Sequence, residues 1–325
     1  MKQMFSITAV FLGFAQSGCV HAQDYPVRPI RIIVPNTGGS AMDNVTRMIG
    51  QRMTDLWGQQ IVVDNRPGAG GIIGHEIAAK APGDGYTLLF ASSAGVTIHP
   101  LLSRLPYDSV RDFAPVSLVV NSIQVLASHP SLAATTMDEL LTAARAKPGQ
   151  LNCGTPGNGT SNHLACEMLK VMGNVSFVHV PFKGTGPSLT GLLSGQVHIS
   201  FASIPTTMPQ AKAGRLRVLA QGGATRSAVI PHVPTIAETL PGYQAMTWYA
   251  LYCPRATPPA IVAKLNTAVV KILSDPTLAR SLTDQGLDPA PSSPPELANY
   301  MRSETERFAR IIKLAGLVTS QATPP

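Results

Sequence analysis

Residues 30–48, IRIIVPNTGGSAMDNVTRM, decide how the chain is read. A short apolar strand runs into Pro35, a Gly pair follows, and an amphipathic helix begins. Gly38 and Gly39 let the backbone turn through φ values that other residues resist. Ser40 and Asp43 have the S-x-x-D spacing of a capping box, which starts the helix at that point. The first N–H groups of a helix have no internal partner, and the macrodipole makes that end mildly positive. A strand–Gly loop–helix unit of this kind therefore offers a seat for a small anion.

Around this unit the chain alternates strand-like and helix-like segments, the pattern of α/β layers around parallel sheets. Strands are expected at 60–64 and 86–91, with the Gly-rich run Asn65-Arg66-Pro67-Gly68-Ala69-Gly70-Gly71 leading into a helix that ends at Lys80. Residues 116–127 form a long extended run, and Thr136 with Glu139 caps a helix that stops at Pro148-Gly149. A second set then opens: a strand at 151–154, a Gly loop at 155–161, and a helix at 162–172 with Leu164, Met168 and Met172 on one face. Strands at 176–180, 197–202 and 216–220 follow, then a second long extended run at 243–253. Pro258-Pro259 opens a helix bearing Ile261, Leu265, Val269 and Ile272. Ser293 and Glu296 cap the last one, with Tyr300, Phe308, Ile311 and Ile312 as its stripe. The two extended runs bracket the second set, as in a chain that crosses twice between lobes with a ligand in the cleft. We expect one domain from 24–123 plus 248–325 and another from 124–247.

Length and composition agree with two globular domains. The 325 residues are 44% hydrophobic and only 13% charged, which excludes a disordered chain. The formal charge of +7 has no Lys/Arg cluster behind it, so a nucleic-acid surface is not supported. Residues 1–22 read as a signal peptide. Lys2 precedes an apolar run, and Val20-His21-Ala22 is an acceptable cleavage site, so a periplasmic location is expected. Cys19 raises lipid attachment as an alternative, but Gln16 stands where such a signal wants Leu. The remaining Cys153, Cys166 and Cys253 are odd in number and widely spaced. One disulfide is possible, and buried free thiols are the favoured reading.

Three enzyme readings fail. The run from Gly154 to Ser161 falls one residue short of a phosphate-binding P-loop, because Thr160 takes the lysine position. Gly68–Gly74 has the spacing G-x-G-G-x-x-G, and a tight structural turn accounts for it. There is no G-x-S-x-G elbow and no H-E-x-x-H or C-x-x-C spacing. His163, just after the second Gly loop, is the one histidine near a candidate site, and packing at the first helical turn is its ordinary role. No catalytic residue, metal or cofactor is expected. What remains is a pair of Gly-rich strand-to-helix loops, 36–41 and 157–161, able to hold the two ends of a dianion without a buried arginine.

The residues also carry a resemblance. Tyr25-Pro26-x-x-Pro29-Ile30, Val34-Pro35 with Gly38-Gly39-x-x-x-Asp43, Val63-x-Asn65-Arg66-Pro67-Gly68-Ala69-Gly70-Gly71 and Asp84-Gly85-Tyr86-Thr87-Leu88 come first. Asp112-Phe113-x-Pro115-Val116, His179-Val180-Pro181-Phe182-Lys183-Gly184, Gly195-Gln196-Val197, Val233-Pro234-Thr235-x-x-Glu238 and Trp248 follow in order. With these the chain resembles the Bug-type periplasmic solute receptors of tripartite tricarboxylate transporters over essentially its whole mature length. The resemblance implies a two-lobed, type II periplasmic-binding-protein fold, two Rossmann-like α/β domains joined by two crossing strands, that closes on a small carboxylate. By matching position it points to Gly38, Gly39, Ser40 and Ala41, then to Ser92 and Ser93. From the second lobe it points to Gly157, Gly159, Thr160 and Ser161, with Phe182, Lys183 and Gly184 at the rim. It implies membrane transporter subunits as partners; a ligand-presenting sensor serving a sensor kinase is the alternative reading, and a monomer is expected.

Two departures stand out. The first loop of the family usually reads Pro-Phe-Ala-x-Gly-Gly, and here Asn36-Thr37 replaces the aromatic and the small residue. Many relatives carry an Asp after the strand that ends here at Ala202-Ser203, where an acid recognises a ligand ammonium. Ser203 does not, so the expected ligand is a dicarboxylate without an amine.

Overall fold

The computed structural model describes residues 25–317. The expected signal peptide, Cys19 and the polar tail at 319–325 lie outside the described residues. The first lobe opens with β1 (Ile30–Val34), α1 (Ala41–Trp57), β2 (Ile61–Asn65), α2 (Ile72–Ala79), β3 (Thr87–Ser92), α3 (His99–Leu102) and the long β4 (Phe113–Ser128). The second lobe holds α4 (Met137–Ala146), β5 (Leu151–Thr155), α5 (Ser161–Gly173), β6 (Phe177–Pro181) and α6 (Thr185–Leu193). It continues with β7 (Ile199–Ser203), α7 (Ile204–Lys212), β8 (Arg217–Gln221) and α8 (Ile236–Thr239). The chain then returns through β9 (Met246–Pro254), α9 (Pro259–Leu273), α10 (Pro276–Thr283), β10 (Leu287–Pro289) and α11 (Pro294–Leu314).

The strands share one continuous sheet in the order β2-β1-β3-β9-β4-β7-β5-β6, with β8 and β10 also paired to β4. Both ends are parallel three-strand units, β2-β1-β3 and β6-β5-β7. The middle is antiparallel, because β9 runs against β3 and β4, and β4 against β7. The two crossing strands, β4 and β9, lie side by side at this antiparallel centre. β4 changes partners along its length: up to Ile123 it pairs with β9, and from Gln124 it pairs with β7 and β8.

Burial follows the layers. Ile30, Ile32, Ile33 and Val34 of β1 are all buried, as a strand covered by helices on both faces requires. One core packs Ile32, Phe90 and Leu251 against α1 and α9; a separate one gathers Leu126, Phe177, Phe201 and Tyr243. Tyr243 donates its hydroxyl to Ala165 O, and the Trp248 indole donates to Glu304, which ties β9 to α11. α11 reaches across to the second lobe, where Phe308 and Ile312 cluster with Leu164 of α5.

Two sequence expectations are corrected here. Cys153 and Cys166 form a disulfide, their Cα atoms 6.6 Å apart, while Cys253 is free and buried. β5, the Gly loop and α5 fold back on themselves, and this brings the pair together despite the wide spacing. Helices α6, α7 and α10 were not foreseen. α6 carries Pro187 and two glycines, and α7 carries Pro205 and Pro209, so propensity argued against both.

Candidate ligand-binding site

The first loop is built by a side chain reaching backwards. Gly39 sits at φ 75°, and Ser40 caps α1 by accepting from Asp43 N at 3.2 Å. Asp43 Oδ2 then accepts from Gly39 N at 2.8 Å rather than returning to Ser40 N, so only half of the expected capping box forms. Asn65 from β2 donates to Asp43 Oδ1 at 3.0 Å and to Asn36 O at 3.2 Å, and Arg47 donates to Asp43 Oδ2 at 3.1 Å. Burial alone would raise the Asp43 pKa. The hydrogen bonds from Arg47, Gly39 and Asn65, with the Arg47 charge, outweigh it and hold the carboxyl below the usual carboxylate range.

The second loop repeats the device with different atoms. Gly159 sits at φ 70°, Thr160 caps α5 by accepting from His163 N at 3.2 Å, and Gly159 N donates to His163 Nδ1 at 3.2 Å. Thr160 also donates to Gly157 O at 2.8 Å. His163 stacks on His179 with ring centres 4.0 Å apart, and His179 Nε2 lies 2.6 Å from Thr155 Oγ1. An imidazole that accepts at Nδ1 must be the neutral Nε2–H tautomer. Burial, reinforced by the Lys170 charge, lowers the His163 pKa to about 4 and keeps that tautomer at neutral pH.

These caps leave the amides of Ala41 and Met42 on α1, and of Ser161 and Asn162 on α5, without intrahelical acceptors. All four residues line one cleft between the lobes. Gln124 lines it from β4, at the point of partner exchange. Its Nε2 donates to Ser161 Oγ at 2.9 Å, and its buried Oε1 has no partner among the described residues. Among the described residues no Asp, Glu, Lys, Arg or His side chain lines the cleft. Its cavity measures about 80 Å³.

Of the residues expected from the sequence, Ser40, Ala41, Ser92, Thr160, Ser161 and Ser203 line this cleft. Gly38, Gly39, Gly157 and Gly159 shape its loops. Ser93 is buried behind it, 3.0 Å from Thr247 Oγ1. Ser203 is the N-cap residue of α7, its hydroxyl 2.9 Å from that of Thr206. Of the expected rim residues, Gly184 lines the cleft, whereas Phe182 and Lys183 do not. Phe182 N donates to Thr155 O and so extends the β6 ladder; its ring packs with Val180 and Leu192, and Lys183 is exposed outside the lining. Sequence reasoning missed Gln124, Asn162, Thr185, Ser188, Thr247 and Tyr249, which also line the cleft. The polar residues within the extended runs, Gln124 and Thr247, were the available signal.

The run after Arg66 turns tightly, lines the cleft with Pro67, Gly68, Gly70 and Gly71, and meets the other lobe. Gly70 has φ 67°, and a Cβ there would lie 2.7 Å from Asn158 O and 3.1 Å from His99 Nε2. His99 is buried at this junction. Burial and the neighbouring His75 push its pKa down to about 4, with the Asn158 backbone offsetting part of the effect.

The family model described as the tripartite tricarboxylate transporter family receptor, TctC, matches residues 45–317. Protein BugT of Bordetella pertussis is 32% identical over 323 residues, covering 97% of this chain and 98% of its own. Rpa4515 of R. palustris, solved with adipate, superposes with a TM-score of 0.88 at 34% identity, covering 90% of this chain and 99% of its own. MatC of Rhodopseudomonas palustris, solved with bound malate, gives a TM-score of 0.83 at 32% identity, covering 89% and 100%. With its two-lobed α/β periplasmic-binding-protein fold, the chain belongs to the tripartite tricarboxylate transporter family of solute receptors, a family of binding proteins rather than enzymes.

Proposed function

We propose that this receptor captures a small organic dicarboxylate without an amine in the periplasm and hands it to the membrane subunits of a tripartite transporter. The observation that carries this reading is the pair of helix N-termini, α1 and α5, opening on one cleft that no charged side chain lines among the described residues. Each end offers two amides and a partial positive charge to one carboxylate. With no arginine in the lining, the backbone itself supplies the recognition, and two such ends suit two carboxylates. Rpa4515 with adipate and MatC with malate are relatives whose ligands have that form. Ser203, a neutral residue already engaged with Thr206, offers no counter-charge to an ammonium.

Capture works by hinge closure. We place the lobe boundaries at 24–123 with 248–325 and at 124–247; the partner exchange of β4 between Ile123 and Gln124 supports this division. Leader cleavage after Ala22 belongs to the same proposal. A thermal-shift screen of the mature, refolded protein against mono-, di- and tricarboxylates and amino acids tests it. Ligand at about a hundred times its Kd stabilises by roughly 2.7 kcal/mol, enough to move the Tm by several degrees. Shifts confined to dicarboxylates support the reading, and shifts confined to amino acids overturn it.

A further inference from the structure

Asn36 and Thr37, the residues that depart from the family's usual loop, touch the opposite lobe. Asn36 Nδ2 donates to Thr185 Oγ1 at 3.2 Å, while Asn36 Oδ1 accepts from the Thr185 hydroxyl at 3.3 Å and from Thr185 N at 3.4 Å. Thr37 Oγ1 accepts from Gly186 N at 3.3 Å. The approach is close: a Cβ on Gly184, which sits at φ 113°, would lie 2.8 Å from Thr37 Cγ2. Asn36 is held for this contact by Asn65, which donates to its carbonyl, and by Thr37 N, which donates to its Oδ1. Thr185 and Gly186 are the first two residues of α6, so the acceptors of one lobe fill the unpaired donors of a helix N-terminus in the other.

We propose that Asn36 and Thr37 form a clasp on the N-terminus of α6 that sets the balance between open and closed lobes. Asn36 and Thr185 also stand in the cleft lining, but the clasp joins the two lobes directly and spends α6's first amides on closure, which leaves the amides of α1 and α5 for the ligand. It favours the closed form by the same amount whichever acid is bound, so it sets affinity without choosing among ligands. Thr185 answers Asn36 as donor and acceptor together, and a residue lacking either function breaks the pair from the far side.

This inference rests on the receptor reading for its meaning but not for its test. Spin labels at Gln51→Cys on α1 and Lys212→Cys on α7, both exposed positions, report the distance between lobes by pulsed electron resonance with no carboxylate added. The Asn36→Ala/Thr37→Val variant is expected to raise the open-to-closed ratio at least tenfold, and Thr185→Val alone to raise it several-fold from the other lobe. With adipate and malate as probes, Kd should weaken by a common factor for both, through faster dissociation. Distance distributions unchanged in both variants overturn the clasp. A loss confined to one probe does so as well, since it makes these residues ligand contacts. If neither probe binds the unsubstituted protein, the receptor reading loses support while the distance measurement still decides the clasp.

Discussion

The two Gly loops have the same plan and different chemistry. Gly39-Ser40-x-x-Asp43 and Gly159-Thr160-x-x-His163 each place a glycine at φ near 70°, a hydroxyl cap, and a third-position side chain that accepts from the glycine amide. In the first lobe that acceptor is a carboxylate charge-balanced by Arg47 and hydrogen-bonded by Asn65. In the second it is a neutral imidazole stacked on another, and a disulfide between β5 and α5 straddles the loop. The geometry of a helix N-terminus is thus what both lobes share, and each lobe stabilises it with what its surroundings allow. A charged acceptor needs partners; a neutral one needs only burial.

Substituting the two glycines separates the loops most strongly. At Gly39 a Cβ would meet nothing within 4 Å among the described residues, whereas at Gly159 it would lie 2.6 Å from the His99 ring. Gly39→Asp puts a carboxylate beside the α1 amides at a φ that Asp tolerates better than most residues. Binding should fall by more than a hundredfold in calorimetry, with a modest change in Tm. Gly159→Asp should lower both binding and Tm, because it crowds the lobe junction. Retained affinity in Gly39→Asp would remove the first loop from the site.

Removing the disulfide acts on the second loop alone. Replacing Cys153 and Cys166 by Ser releases a closed loop with a sequence separation of 13, worth about 3 kcal/mol in the loop-entropy account. We expect the Tm to fall by roughly 6–12 °C, with faster amide exchange at Gly159 and no change at Gly39. Equal changes at both amides would mean that the disulfide supports the whole molecule rather than one loop.

Acid should separate the loops more gently. His163 has a depressed pKa, so its contribution to stability is complete above about pH 6.5 and declines as pH falls toward about 4. His179 follows the same course, burial being its main cause, and so does His99 at the junction. Asp43, also depressed, keeps its contribution until pH falls into the ordinary carboxylate range and loses it from there downward. Hydrogen exchange between pH 6.5 and 4 should therefore loosen Gly159 before Gly39. The reverse order would overturn the assignment of His163 as the second loop's acceptor.

Much of this comparison was legible in the sequence, and the rest was hidden for physical reasons. Glycine, hydroxyl and apolar period mark both loops, because a strand-to-helix turn demands those residue types locally. The backward reach of His163 was not legible, since an imidazole accepts only as the tautomer its burial selects. Cys153 and Cys166 looked too far apart because the turn that joins them lies in the backbone path, not in their spacing. Gln124 and Thr185 were missed because a cleft residue is defined by what the opposite lobe brings to it. Asn36 and Thr37 were visible as departures, but only the fold supplies their partners on α6. Helices α6 and α7 form against their Pro and Gly content because Leu192 and Ile204 are buried.

The most direct test of the central claim is a calorimetric titration of the refolded mature protein with succinate, malate and aspartate, which share one carbon skeleton. Two helix N-termini facing across a cleft without charged side chains predict that at least one of the amine-free diacids binds tenfold or more tightly than aspartate. Preferred binding of aspartate would contradict the account, because it requires a counter-charge that Ser203 and the rest of the lining do not supply.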